Sequence, residues 1–124
     1  MKNWIGFFGA TAVILGAMGA HALKEVLTDT ELTSFKTGTW YHLVHTIALF
    51  PALFRSQFKR MAQFFMIAIV LFSGSIYLLT LDRLMGLDLS FLGPITPIGG
   101  LFFIAGWSTL FLKTGVNTTH VDKS

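Results

Sequence analysis

Two histidines, His42 and His45, lie three residues apart in an otherwise apolar stretch of the chain. If this stretch is a helix, the spacing places both imidazole rings on the same face. Ionisable side chains are costly inside hydrocarbon, so such rings normally face protein or water. The chemistry open to them is metal or haem ligation and proton transfer, because neutral imidazole is a common ligand and titrates near pH 7. Which of these applies depends on the elements that surround the pair.

The composition places these histidines in a membrane protein. Of the 124 residues, 53% are hydrophobic and only 12% are charged, whereas a typical soluble domain has about 25% charged residues. The charges cluster between long apolar runs, which is typical of membrane-spanning segments. The net charge of +3 comes from basic residues dispersed at the segment ends, so nucleic acid is not an expected partner. The absence of cysteine excludes disulfides and cysteine-ligated zinc.

Four apolar segments predict an all-α fold, an integral membrane four-helix bundle that forms a single domain over residues 1–124. The predicted spans are about 4–23, 38–54, 61–81 and 91–112, with a polar connection at 24–37 and a cytoplasmic tail at 113–124. The second segment is at the lower length limit for a span. In the polar connection, Thr28 and Glu31 have the spacing of a capping box and predict a short surface helix.

The first segment has an alternative interpretation as a cleaved signal peptide. Residues 20–22 read Ala-His-Ala, which fits an A-x-A cleavage site behind a basic start and an apolar run. Small residues at three- and four-residue steps favour a span, because such a stripe lets another helix approach closely in lipid. The small residues expected at helix contacts are Gly9, Gly16 and Ala20 in the first segment and Gly99 and Gly106 in the fourth.

The basic residues predict that both termini are cytoplasmic. With four spans, the N-terminus, the turn at 55–60 and the C-terminal tail share one side of the membrane. That side carries six of the nine lysines and arginines, and the positive-inside rule assigns it to the cytoplasm. The expected location is the cell membrane, crossed several times.

This topology brings polar side chains from all four segments into the outer half of the bundle. The candidate layer consists of His21, Tyr41, His42, His45, Ser73, Tyr77 and Thr96. In one interpretation these groups bond one another across helices and stabilise the bundle. In a second, His21, His42 and His45 bind a metal or haem. In a third, the histidines serve a proton or solute path, which needs an oligomer because four helices leave little room for a pore.

Four motifs occur in order along the chain, at residues 16–23, at 37–38 with Tyr41 and His45, at 72–79, and at 92–100 with Gly106 and Trp107. Together they resemble the domain-of-unknown-function 423 family, small membrane proteins akin to the transmembrane protein 256 group. The resemblance implies a four-span helical protein, bacterial in most cases, with no agreed biochemical activity. It also implies that His42 is less characteristic than the other two histidines. The layer is then expected to centre on a pairing of His21 with His45, joined by Tyr77 and the helix start at Thr96 and Pro97.

No reaction motif accompanies the layer, since the chain has no Gly-rich phosphate loop and no recognisable nucleophile–base pair. We therefore expect a non-enzymatic structural or accessory protein without a cofactor, supporting membrane or envelope integrity. The alternative is a small transporter, a channel subunit or a metal- or haem-binding membrane protein that uses the outer histidines. The expected partners are the lipid bilayer and either a second copy of the chain or another membrane protein.

Overall fold

The computed structural model describes residues 1–112, which are helical with no strand in that range. The α-helices are α1 (Lys2–Ala20), α2 (Asp29–Ile47), α3 (Pro51–Phe54), α4 (Lys59–Ala68), α5 (Gly74–Leu81) and α6 (Ile95–Leu112). A π-helical turn, Ile69–Ser73, joins α4 to α5, and 3₁₀ turns at Ser56–Phe58 and Ser90–Leu92 precede α4 and α6. The all-α prediction is confirmed for this range, and the predicted cytoplasmic tail at 113–124 lies outside the described residues.

Within residues 1–112, three helical stretches are long and apolar enough to cross a membrane: Lys2–Ala20, Ser56–Leu81 and Ser90–Leu112. Helix α2 is not among them. It contains the predicted surface helix and most of the predicted second segment as one continuous rod, because no helix breaker separates the two. It ends at Ile47, four residues before Pro51, since a proline ring clashes with the carbonyl four positions earlier in a continuing helix.

The start of α2 is fixed by a capping box and by an arginine from a distant loop. The side chain of Thr28 accepts from the Glu31 amide, and the Glu31 carboxylate accepts from the Thr28 amide, which confirms the predicted box. Arg83 donates to both Glu31 oxygens, at 3.2 and 2.8 Å. These hydrogen bonds, from Arg83 and then from the Thr28 backbone, lower the pKa of Glu31 to about 2. The pair therefore stays ionised at physiological pH and ties the α1–α2 connection to the α5–α6 connection.

The helices pack in an order that centres on α2 and the α4–α5 stretch. Helix α1 lies on α2, α2 lies on α5 and the π turn, and α6 lies on α4 and the π turn. The main core fills the space between α1, α4 and α6, and a smaller cluster around Phe35 closes the other end of the bundle. Phe35 and Phe65 are fully buried, one in each cluster.

The glycines of α6 make the close contacts that their spacing predicts. A Cβ atom on Gly99 would lie 2.7 Å from the Cα atom of Phe72, and one on Gly106 would lie 2.5 Å from Cε1 of Phe65. Both are closer than real Cβ contacts, so each position needs a hydrogen there. This close approach brings α6 against α4 and against the π turn.

The buried stripe of α1 differs from the predicted one. A Cβ on Gly9 would make only an ordinary contact with Thr46, Gly16 has open space around it, and Ala20 is exposed. The residues of α1 that are buried are Ile5, Phe8, Ala12 and Gly19. Helix α1 is rotated about its axis so that Gly19 is buried, because the Phe35 ring occupies the space beside this glycine. A Cβ atom on Gly19 would lie 2.9 Å from Cδ1 of Phe35.

Candidate functional site

The predicted polar residues form separate interhelical contacts and not one continuous layer. Three contacts carry the site: a cluster around His42, a pair formed by His45 and Trp107, and hydroxyl bonds that flank the π turn. We call them the His42 cluster, the His45 pair and the π-turn hydroxyls. Each joins at least two helices.

The His42 cluster connects α1, α2 and α5. His42 is 4% exposed; its Nδ1 lies 3.0 Å from the Tyr77 hydroxyl and its Nε2 lies 3.5 Å from Oγ1 of Thr11. The Thr11 hydroxyl donates to the Phe7 carbonyl at 2.9 Å, so its oxygen is left to accept from Nε2–H. Nδ1 then accepts from the Tyr77 hydroxyl. The contacts assign a neutral ring with its proton on Nε2.

The His45 pair connects α2 to α6. The Trp107 indole N–H donates to Nε2 of His45 at 3.0 Å, and Nδ1 of His45 lies 2.7 Å from the Tyr41 carbonyl. An indole only donates and a carbonyl only accepts, so this ring is neutral with its proton on Nδ1. The ring also stacks on Phe103 at a centroid distance of 3.8 Å. The two histidines therefore hold opposite tautomers.

The π-turn hydroxyls explain the serines of the third segment. Ser73 is fully buried and donates to the Gly38 carbonyl at 2.8 Å, which joins the π turn to α2. The hydroxyls of Ser75 and Thr96 bond at 2.5 Å and join α5 to the first turn of α6. A π turn inserts an extra residue into the helix and re-aims the side chains after it. Helix α6 begins at Ile95, one residue before the predicted helix start at Thr96, whose hydroxyl bonds to Ser75 of another helix.

His21 does not join these contacts, and the predicted pairing of His21 with His45 is wrong. The chain leaves α1 at Ala20, and His21 lies in the turn that follows, with an exposed side chain. Tyr41 contributes its carbonyl and its ring, which packs on Phe72 at 4.6 Å and beside His45 at 5.8 Å.

A metal site formed by the three predicted histidines is not assembled. Within residues 1–112, no group of three histidine, cysteine or acidic side chains is placed to hold a metal ion. All four ring nitrogens of His42 and His45 face partners, as described above. Throughout the described chain, no buried side-chain nitrogen or oxygen lacks a hydrogen-bond partner.

Neither the bond from Trp107 to His45 nor the pair of Arg83 with Glu31 was predicted from the sequence. Trp107 belongs to one of the four motifs, and its indole N–H could have indicated a hydrogen bond, because this donor usually finds a partner when the ring is packed. There was less indication in the sequence of an ion pair at Arg83, since a basic residue in a polar connection is normally solvated. Its partner Glu31 lies 52 residues earlier, and no local pattern connects two loops across that distance.

Long apolar helices joined by internally paired polar groups define a multi-pass membrane protein. The chain belongs to the DUF423 family, described as a protein of unknown function, whose sequence model matches residues 15–100. The predicted resemblance is therefore confirmed.

Similar proteins in bacteria carry membrane names. The chain is 41% identical over 103 residues to the UPF0382 membrane protein YwdK of Bacillus subtilis, covering 77% of this chain and 80% of the relative. It is 38% identical over 110 residues to a UPF0382 membrane protein of Haemophilus influenzae, covering 85% and 82%. It is 34% identical over 110 residues to the UPF0382 inner membrane protein YgdD of Escherichia coli K12, covering 84% and 80%. No solved structure matches the chain.

Proposed function

We propose that this protein is a non-enzymatic structural or accessory component of the cell membrane that supports membrane or envelope integrity. One observation carries the proposal: every buried polar side-chain atom of residues 1–112 is paired within the chain. Groups reserved for a ligand commonly leave buried polar atoms without a protein partner. Here the histidines, hydroxyls and indole use their hydrogen bonds to hold helices together. The partners in this role are the bilayer and a second copy or another membrane protein.

The histidines test this role directly. His42→Ala and His45→Ala each remove a ring that bonds two other groups, so we expect each to lower the free energy of unfolding by about 1–3 kcal/mol. The matched control is His21→Ala, which removes the same ring from an exposed turn and leaves stability unchanged. Unfolding is followed by helical circular dichroism of the protein in a mild detergent.

The same samples test the alternative based on a ligand. Metal analysis and a visible absorption spectrum are recorded on protein purified without a histidine tag, before and after addition of zinc, copper or haem. The structural role predicts no stoichiometric metal, no haem band and no stabilisation. Unchanged stability in both buried-histidine variants, or a bound metal that His42→Ala releases, would contradict it.

We further propose that the chain crosses the membrane four times with both termini in the cytoplasm. The second span consists of the apolar part of α2 together with residues 48–54, and the charged start of α2 lies in the outer interface. Charge asymmetry supports this orientation. Lys2 and the basic residues at 55–60 share one end of the bundle, and the acids of the connections 24–37 and 82–90 share the other.

Cysteine labelling measures this topology against a clean background, because the chain has no cysteine. Leu87→Cys and Gln57→Cys place single thiols in exposed connections at opposite ends. In intact cells a membrane-impermeant maleimide should label Leu87→Cys, and should label Gln57→Cys only after permeabilisation. The reverse pattern would contradict the proposal, because it requires either an inverted orientation or a missing second span. Labelling of both positions in intact cells would mean that Ser56–Leu81 does not cross the membrane.

A further inference from the structure

An open apolar groove runs along the outside of the bundle between α1 and the α4–π stretch. It is lined by Trp4 and Phe8 on one wall and by Met66, Ile67, Val70 and Leu71 on the other. Val70 is 59% exposed and Trp4 is 56% exposed, so the groove opens toward the surrounding lipid. No polar side chain lines it among the described residues, and its lining suits a hydrocarbon chain.

Two basic residues, Lys59 and Arg60, begin the helix α4 that forms one wall of the groove. Within α4, Lys59 precedes Met66 by seven residues, and Arg60 precedes Ile67 by seven. At 3.6 residues per turn, these spacings put each cation on the same face as the groove residues above it. Seven residues rise about 10 Å along the helix. The cations therefore mark one end of the groove, at the basic turn where the bundle meets the headgroups.

The charges of Lys59 and Arg60 are not neutralised by any residue of the described chain. Both side chains are exposed, and neither has a hydrogen bond or ion pair within residues 1–112. The acids of this range lie in the connections at the opposite end, at positions 25–31 and 82–88. Arg83, at that opposite end, has Glu31 as its partner. Lys24 and Lys36 at that opposite end also lack an ion pair within this range, but the acids there outnumber the basic residues. Net positive charge within residues 1–112 is thus confined to the end of the bundle at which the groove begins.

We propose that this groove binds an anionic phospholipid, with one acyl chain along the apolar walls and the phosphate on Lys59 and Arg60. The two halves of the surface match the two halves of such a lipid, and unpaired basic residues attract anionic headgroups. A zwitterionic lipid offers the same hydrocarbon without the net negative charge. The site goes beyond the structural role proposed above and does not depend on it, because a lipid can bind whether the polar contacts are structural or not.

Native mass spectrometry of the full chain in a neutral detergent tests the site. The probes are phosphatidylglycerol, phosphatidylcholine with the same acyl chains, and inorganic phosphate. We expect one phosphatidylglycerol to bind preferentially, no comparable binding of phosphatidylcholine, and none of phosphate alone. Lys59→Gln combined with Arg60→Gln should weaken phosphatidylglycerol binding by about 30-fold, the contribution of two basic residues at an anionic surface. The matched control, Lys24→Gln with Lys36→Gln, removes the same charge at the other end and should have no effect.

The groove is tested separately from the charges. Val70→Trp fills it with a bulky side chain and should weaken phosphatidylglycerol binding, with no change in the thermal midpoint of the lipid-free protein. Val13→Trp, at an exposed position elsewhere on the bundle surface, is its control and should bind normally. Equal binding of phosphatidylcholine, equal loss in the lysine control, or full binding by Val70→Trp would each overturn the proposal. Binding of phosphate alone with equal affinity would also overturn it, in favour of a free-anion site.

Discussion

Replacing Gly99 with alanine should lower the free energy of unfolding by about 2–3 kcal/mol, at the upper end of the cost of overpacking. The added Cβ would lie 2.7 Å from the Cα atom of Phe72. Because this neighbour is backbone and not the end of a flexible side chain, the clash can only be relieved by moving α6 away from the π turn. That movement would also separate Thr96 from Ser75, whose hydroxyl bond lies one turn away.

The adjacent glycine provides the control for this change. A Cβ on Gly100 would meet the Phe72 ring at 3.9 Å, an ordinary van der Waals contact. Gly100→Ala should therefore leave stability unchanged or raise it slightly, since alanine restricts the unfolded chain more than glycine does. Both variants are compared by thermal unfolding in the same detergent. Equal behaviour of the two would mean that α6 does not approach the π turn as closely as described.

Replacing Phe35 with alanine should cost about 3–5 kcal/mol, the range for removal of a buried aromatic ring. The ring is fully buried, packs on Tyr77 at a centroid distance of 5.1 Å and fills the space left by Gly19. The cluster around Phe35 closes the end of the bundle that carries the connections 24–37 and 82–90. Loss of the ring would leave a cavity beside Tyr77 and loosen the hydroxyl that bonds His42.

Phe54→Ala is the matched control, because the same ring is removed from a side chain that is 82% exposed. We expect the two variants to differ by several degrees in thermal midpoint, with only Phe35→Ala destabilised. Rescue by Phe35→Leu, which restores most of the apolar volume, should be partial. A stable Phe35→Ala protein would show that the end of the bundle collapses around the vacated space.

Local patterns predicted the parts of this structure that depend on neighbouring residues. Apolar run length predicted the helical membrane class, and the spacing of Thr28 and Glu31 predicted the capping box that forms at the start of α2. Four short motifs predicted the family. The close contacts of Gly99 and Gly106 were also predictable, because the two glycines are seven residues apart and therefore lie on one face of α6, where a neighbouring ring or backbone can approach.

Rotation of the helices could not be predicted in the same way. Helix α1 is almost uniformly apolar, so several stripes of small residues compete as its buried face. The outcome was decided by Phe35, a ring from another helix that requires Gly19. The same uncertainty affects the histidines. His42 reaches Tyr77 because the third segment contains a π turn at Ile69–Ser73, and no residue pattern in that apolar stretch distinguishes a π turn from an α-helix.

The sequence by itself determined that this chain is a helical membrane protein of the DUF423 family whose polar side chains are concentrated at a few positions. These properties follow from hydropathy and from short-range spacing, which act along the chain. The tertiary structure alone decided that His42 bonds to Tyr77 and that His45 bonds to Trp107. It also decided that His21 takes no part in these contacts and that Arg83 pairs with Glu31. Those pairings depend on how each helix is rotated and where the π turn falls, and both are set by packing between residues far apart in the chain.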